Sequence, residues 1–294
     1  MMTILLRLVV RGIGRLPLRL GRVAGLGIGA MLWLLPNPAK RTARANLARC
    51  YPDLDPAERR RRARLSLMHL GQTLTDSAWV WTRSPAELHA VVREVHGFEQ
   101  VRQARDQGLG IIFVSPHIGC WELVCSWLAQ EVPLTALYRP PRLAALESIM
   151  KTGRQSTGAT LVPTDGRGIR ALHKALRRGE TIGILPDQAP RHGHGVIAPF
   201  FGQPARTMTL LSRLARSGQG PVVHCVMERL PRGGGFRLHL LPASPEVADP
   251  DDERAAAAVN RDVERCIALC PEQYMWSYRR FRRTGARTAE SGQA

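Results

Sequence analysis

His117 and Glu122, five residues apart in Ser115-Pro116-His117-Ile118-Gly119-Cys120-Trp121-Glu122, are the residues best placed to do chemistry. A neutral imidazole can take a proton from a hydroxyl and turn it into a nucleophile. A carboxylate on the second ring nitrogen fixes the tautomer and stabilises the imidazolium that forms. Such a pair needs no serine or cysteine nucleophile of its own, because the substrate hydroxyl attacks an activated acyl carbonyl directly. On a straight helix, side chains five apart point roughly 140° apart. The two can therefore converge only if His117 sits in a loop before the helix. The plain alternative is a histidine at a helix N-terminus, with Glu122 an acid favoured by the helix dipole.

The flanking sequence supplies the loop. Ile111 to Val114 is a short apolar, β-branched run of buried-strand type. Ser115-Pro116 ends it, and from Gly119 the pattern is helical through Leu123, Trp127 and Leu128. His117 thus falls at the carboxyl end of a strand, where open α/β sheets bind ligands. Strands are expected at 134–138, 160–163 and 181–185, with helices at 99–107, 142–153 and 168–178 between them. Gly179 gives a C-cap signal. Later, 196–201 is apolar, 206–216 reads as helical, 221–228 and 235–241 as paired strands, and 251–269 as a helix. This alternation predicts an α/β fold with a mixed, largely parallel central sheet flanked by helices.

The formal net charge of +18 points to anionic partners: acidic phospholipid, phosphorylated glycolipid, nucleic acid or an acidic carrier protein. Residues 1–64 hold 14 Lys/Arg against 3 Asp/Glu, so +11 of the charge lies there. Arg7, Arg11, Arg15 and Arg19, with Arg22 nearby, form a basic stripe among leucines and valines, and 23–35 is uncharged up to Pro36. A spanning helix needs roughly 20 apolar residues. The shorter run predicts an interfacial anchor with snorkelling arginines, or a tilted span. The organisation expected is an anchor at 1–36, a basic helical segment at 37–94, the α/β domain at 95–283 and a disordered tail at 284–294. The six cysteines show no Cys-x-x-Cys pair, so free thiols are expected. Aromatic residues are only 5%, with no stacking platform, which argues against nucleic acid.

These stretches together resemble the late (lauroyl/myristoyl) acyltransferases of lipid A biosynthesis. That family lies within the wider His-x-x-x-x-acid group of lysophospholipid and glycerol-phosphate acyltransferases. The resemblance rests on the His117/Glu122 motif and four further blocks in order. They are Leu137-Tyr138-Arg139-Pro140-Pro141, then Arg154 with Gly158, then Asp187-Gln188 followed by Pro199-Phe200-Phe201-Gly202-Gln203-Pro204-Ala205-Arg206-Thr207. The last is Pro271-Glu272-Gln273-Tyr274-Met275-Trp276-Ser277-Tyr278-Arg279-Arg280-Phe281. It runs from the N-terminal segment to about Arg283. The family commonly has His between the Trp and the arginines and Lys after the Phe, where this chain has Tyr278 and Arg282. Both exchanges keep hydrogen bonding and charge.

The resemblance implies a glycerol-phosphate-acyltransferase-like fold on the cytoplasmic face of the bacterial inner membrane. It implies fatty acyl transfer from acyl carrier protein to a hydroxyl of a 3-hydroxyacyl chain on a phosphorylated lipid A precursor. His117 becomes general base and then general acid, with Glu122 orienting it. Arg139 and Arg154 are assigned to phosphate, carrier or oxyanion, and Asp187 and Gln188 border the site. No metal or organic cofactor is required. Three rivals stand beside this reading. One is the same chemistry on another glycolipid or a lysophospholipid. Another is a non-enzymatic basic peripheral membrane protein. The third is a metalloenzyme using His117 with His192 and His194.

Overall fold

The computed structural model describes residues 2–140, 144–190, 194–218 and 220–281. The Arg191-His192-Gly193 part of the glycine-histidine turn, Pro141, Arg282, Arg283 and the expected disordered tail lie outside them. The chain opens with helices α1 (Met2–Arg15), α2 (Leu18–Leu34), α3 (Pro38–Cys50), α4 (Pro56–Val80) and α5 (Pro85–Ala90). Then come β1 (Val92–His96), α6 (Glu99–Asp106), β2 (Ile112–Val114), α7 (Trp121–Glu131), β3 (Leu134–Tyr138) and α8 (Ala144–Gln155). Next are β4 (Thr160–Pro163), α9 (Gly166–Arg177), β5 (Thr181–Ile184), β6 (Val196–Phe200) and β7 (Gln203–Thr207). The chain continues through α10 (Leu210–Ser217), β8 (Val222–Arg229), β9 (Phe236–Pro242) and α11 (Asp252–Leu269), with a one-turn helix at Pro271–Gln273.

Seven strands form one sheet in the order β1-β9-β8-β2-β5-β3-β4. Every neighbouring pair is parallel except β8 with β9. This is the largely parallel sheet flanked by helices that alternating strand and helix predict. β2 is fully buried, as its unbroken apolar run requires. The first strand begins at Val92 rather than near Val95. Arg206 and Thr207, expected in a helix, belong instead to a β6–β7 hairpin. Phe201 and Gly202 both take positive φ at its tip (50° and 69°), the backbone a two-residue hairpin turn needs.

α4 is a single helix of 25 residues within the helical segment expected at 37–94. Its Asp55 cap accepts from the Ala57 and Glu58 amides. α4 carries the N-terminal helices on its flank. Gly25 and Gly29 of α2 lie so close to Gly71, Gln72 and Met68 of α4 that a Cβ at either would strike backbone. Arg22 is buried there, donating to the carbonyls of Leu230 (3.0 Å) and Gly235 (3.1 Å) and lying 3.6 Å from Asp76. Asp76 also holds Arg229 of β8. Arg22 therefore is no member of a snorkelling stripe: its charge is spent tying α2 to the sheet domain. Leu20, Val23, Met31 and Leu34 on the outer face of α2 are exposed. No single helix among the described residues is long and apolar enough to cross a membrane. α2 and α3 pass that test only as a pair, bent by 80°.

Candidate active site

Two adjacent parallel strands build the site. β2 and β5 run in register, Val114 beside Ile184. The Ser115 amide donates to the Ile184 carbonyl and extends that register by one residue. His117 lies three residues past Val114 and Asp187 three past Ile184, so register delivers both to the same edge of the sheet. From β2 the chain leaves toward β3 on one side; from β5 its next strand in this sheet is β8, on the other. The His117–Asp187 pair thus marks a topological switch point, where α/β sheets open a crevice for ligands.

Asp187 holds His117 twice. The His117 amide donates to Oδ2 (3.0 Å), and Nδ1 meets Oδ1 at 2.7 Å. Two accepting oxygens facing two nitrogens leave Nδ1 protonated and Nε2 with its lone pair. Gln188 Nε2 donates to that nitrogen from 3.0 Å. Burial by itself pushes the Asp187 carboxyl up. The His117 charge and the two hydrogen bonds, with Arg280 beyond, outweigh burial and hold it below the ordinary carboxylate range. Burial and the Asp187 charge together push the Tyr274 phenol well up, so it stays protonated beside the pair. Trp121 packs its ring against the imidazole, centroids 4.9 Å apart.

The loop carrying His117 is fastened to the C-terminal segment. Met275 donates its amide to the His117 carbonyl, Gly119 to Gln273 and Cys120 to Met227. Gly119 has φ +58°, and a Cβ there would be driven into the Met227 carbonyl, so only glycine fits. Neither nearby candidate nucleophile is activated. Burial, and then the Asp76 charge, push the Cys120 thiol up to about 12. The Ser115 hydroxyl is buried without a hydrogen-bond partner.

Glu122 does not orient His117; that expectation is corrected by Asp187. Both ring nitrogens of His117 are taken by other residues, and Glu122 points elsewhere. Its oxygens accept from Trp81 Nε1 (2.8 Å) and from Arg154 Nε (3.0 Å) and Nη2 (2.7 Å). Burial pushes the Glu122 carboxyl up, but the Arg154 charge and hydrogen bonds, then Trp81 and His117, bring it below its ordinary value. The physical reason is helical. Glu122 sits in the first turn of α7, facing the end of α4 and α8 rather than the β2 loop. Its fork with Arg154 braces three helices behind the histidine.

Among the other candidates, Arg154 is thus a partner of Glu122 through Nε and Nη2, and Nη1 has no hydrogen bond among the described residues. Arg139 is exposed after β3 and has no ion pair among the described residues. Phe200 is core, while Phe201 packs in tilted contact with Tyr51 and Trp276. The tail does more than pack. Tyr278 accepts from the Ala189 amide, next to Gln188. Arg280 is buried, bonding the Arg206 carbonyl, Thr207 and Asn260. No signal in the sequence separates Arg280 from its exposed neighbour Arg279. Among the described residues no three His, Cys, Asp or Glu gather as a metal site, and His192 lies outside them.

Residues 1–283 match the family described as Bacterial lipid A biosynthesis acyltransferase. The chain is 32% identical over 263 residues to the lipid A biosynthesis lauroyltransferase of Escherichia coli, covering 88% of this chain and 84% of that protein. It is 28% identical to the E. coli lipid A biosynthesis palmitoleoyltransferase, covering 88% and 83%. A lipid A biosynthesis acyltransferase of Haemophilus influenzae is 30% identical, covering 92% and 87%. With the match running through nearly the whole sequence, the chain belongs to the bacterial lipid A biosynthesis acyltransferases and is an acyltransferase.

Proposed function

We propose that the protein moves a fatty acyl group from the thioester of acyl carrier protein to the hydroxyl of a 3-hydroxyacyl chain on a phosphorylated lipid A precursor. The observation that carries this is the His117 tautomer: Nδ1 bound by Asp187, Nε2 open to a donor. The Gln188 amide N–H stands where the acceptor O–H would donate, and swings aside for it. The hydroxyl gives its proton to Nε2 as its oxygen attacks the thioester carbonyl carbon. A C–O bond forms, the C–S bond breaks, and the proton passes from Nε2 to the leaving sulfur. Asp187 stays ionised throughout and stabilises the imidazolium. The unspent Nη1 of Arg154 is the cationic donor available to the oxyanion or to phosphate.

The same reading places the enzyme on the cytoplasmic face of the inner membrane. The exposed apolar face of α2 and the cations of 1–64 support it. Lys40, Arg41, Arg44, Arg59 and Arg60 line one groove of about 840 Å³ at the ends of α3 and α4. An acidic carrier and a phosphorylated acceptor both suit so basic a surface.

The test is acyl transfer in detergent micelles, with labelled acyl carrier protein and an under-acylated lipid A precursor, for wild type and His117→Ala. Loss of at least about 100-fold is expected from removing the general base. An equally active His117→Ala would sink the mechanism. Wild-type transfer to a lysophospholipid but not to the precursor would sink the acceptor.

A further inference from the structure

We infer that a second cavity, walled by α1, the end of α4 and α8, is the subsite for a phosphate of the acceptor; this rests on the acceptor class proposed above. Its volume is about 440 Å³, and Arg11, Arg15, Trp81, Thr82, Ser148 and Thr152 line it, with Ile149 at its base. The size suits a sugar phosphate.

The lining offers donors and no carboxylate. Arg11 and Arg15 are one helical turn apart, both exposed, and neither has an ion pair or hydrogen bond among the described residues. Two like charges at that spacing disfavour the helix. Some cations of the chain meet an acid at i,i+4, as in Glu58–Arg62, Arg83–Glu87 and Glu147–Lys151, whereas Lys40/Arg44, Arg60/Arg64 and Arg170/Lys174 are cation pairs at that spacing like Arg11/Arg15. At Arg11 and Arg15 no acid answers among the described residues, and unlike those pairs they line a cavity whose far wall carries hydroxyls. Across the cavity, Ser148 and Thr152 are again one turn apart on α8, and their hydroxyls have no hydrogen bond among the described residues. A ligand meeting two guanidinium groups and two hydroxyls must present several acceptor oxygens and negative charge. A phosphate monoester does so.

Position ties the cavity to the reaction. Trp81 lines it and donates its indole N–H to Glu122. Glu122 in turn grips Arg154, which α8 carries two residues past Thr152. The helix that presents the hydroxyls therefore also positions the arginine behind the histidine. In a phosphorylated glycolipid, a sugar ring and a few acyl carbons separate phosphate from the reacting hydroxyl. Phosphate held by Arg11 and Arg15 would set which hydroxyl can reach His117. Arg11 and Arg15 are then specificity-determining residues, and the Glu122 motif residue is the strut between that subsite and the base.

The test compares Arg11→Gln, Arg15→Gln and the double variant with wild type on the precursor and on the same precursor after phosphatase treatment. Binding of both lipids is measured alongside turnover, so the outcome does not depend on which donor the enzyme accepts. Each single variant is expected to raise KM and Kd for the phosphorylated lipid about tenfold, the effect of losing one charged hydrogen-bond donor. kcat should move much less. In the double variant the preference for the phosphorylated lipid should vanish, and Arg→Lys at either site should restore part of it. A wild type that binds both lipids equally, or variants that weaken on both lipids alike, would overturn the assignment. So would an unchanged preference accompanied by lost binding to phosphatidylglycerol vesicles, which would give the pair to the bilayer surface. Wild type that binds the phosphorylated lipid through these arginines yet transfers no acyl group would sink the proposed reaction and leave the subsite standing.

Discussion

Replacing Asp187 by Asn should cost far more than the loss of one charge. Both carboxylate oxygens accept in the native site, Oδ2 from the His117 amide and Oδ1 from Nδ1. Asn offers one accepting oxygen and one donating NH2. The backbone amide can only donate, so the Asn oxygen must face it. The NH2 group is then forced against Nδ1, which can accept only if the ring proton moves to Nε2. The base lone pair is thereby turned away from the acceptor hydroxyl, and the imidazolium also loses its short, charge-assisted partner. That bond alone is worth about 1.5–3 kcal/mol, or about 10- to 150-fold in rate. The tautomer change adds to it, and the comparable exchange in a Ser-His-Asp enzyme costs about 10⁴. We expect kcat to fall on the order of 10³- to 10⁴-fold with KM for either substrate within a few-fold, because the Asn is nearly isosteric. The assay is steady-state acyl transfer, with the ring tautomer read from histidine 15N shifts. An Asp187→Asn enzyme within tenfold of wild type, or one whose His117 keeps its proton on Nδ1, would refute the argument.

Three further predictions concern buried titratable groups. Glu122→Ala leaves the Arg154 guanidinium without its partner and should destabilise the fold by about 3–5 kcal/mol in thermal or urea unfolding. Glu122→Gln, which keeps the shape, should retain more kcat than Asp187→Asn; the reverse order would restore Glu122 as the orienting acid. His69 is pulled down to about 4 by burial and by the Arg229 and Arg22 charges. Because the folded value lies below the unfolded one of about 6.5, its contribution is full above that pH. It is lost as pH falls toward 4, at most about 3 kcal/mol. Unfolding followed from pH 7 to 4.5 should show this slope, and His69→Leu should flatten it.

The sequence by itself determined the strand before His117, the helix after it, the alternation that makes the sheet parallel, and the family. These are facts of the chain in order: β-branched runs, a Ser-Pro stop, a glycine after a helix, and blocks of residues that resemble a known family. The placement of His117 was legible because it stands in the loop after its own strand. Its partner was not. Asp187 lies 70 residues away, and only the insertion of β5 between β2 and β3 sets it beside the histidine. Spacing along the chain favours Glu122, but the first turn of α7 points that carboxylate at Trp81 and Arg154. The same holds for Arg22, which in sequence lies next to a periodic basic stripe. Close glycine packing of α2 on α4 carries it inward to Asp76, a burial no periodicity reveals. Motif spacing records what the chain repeats; which charge meets which is decided where strands from distant parts of the chain come to lie side by side.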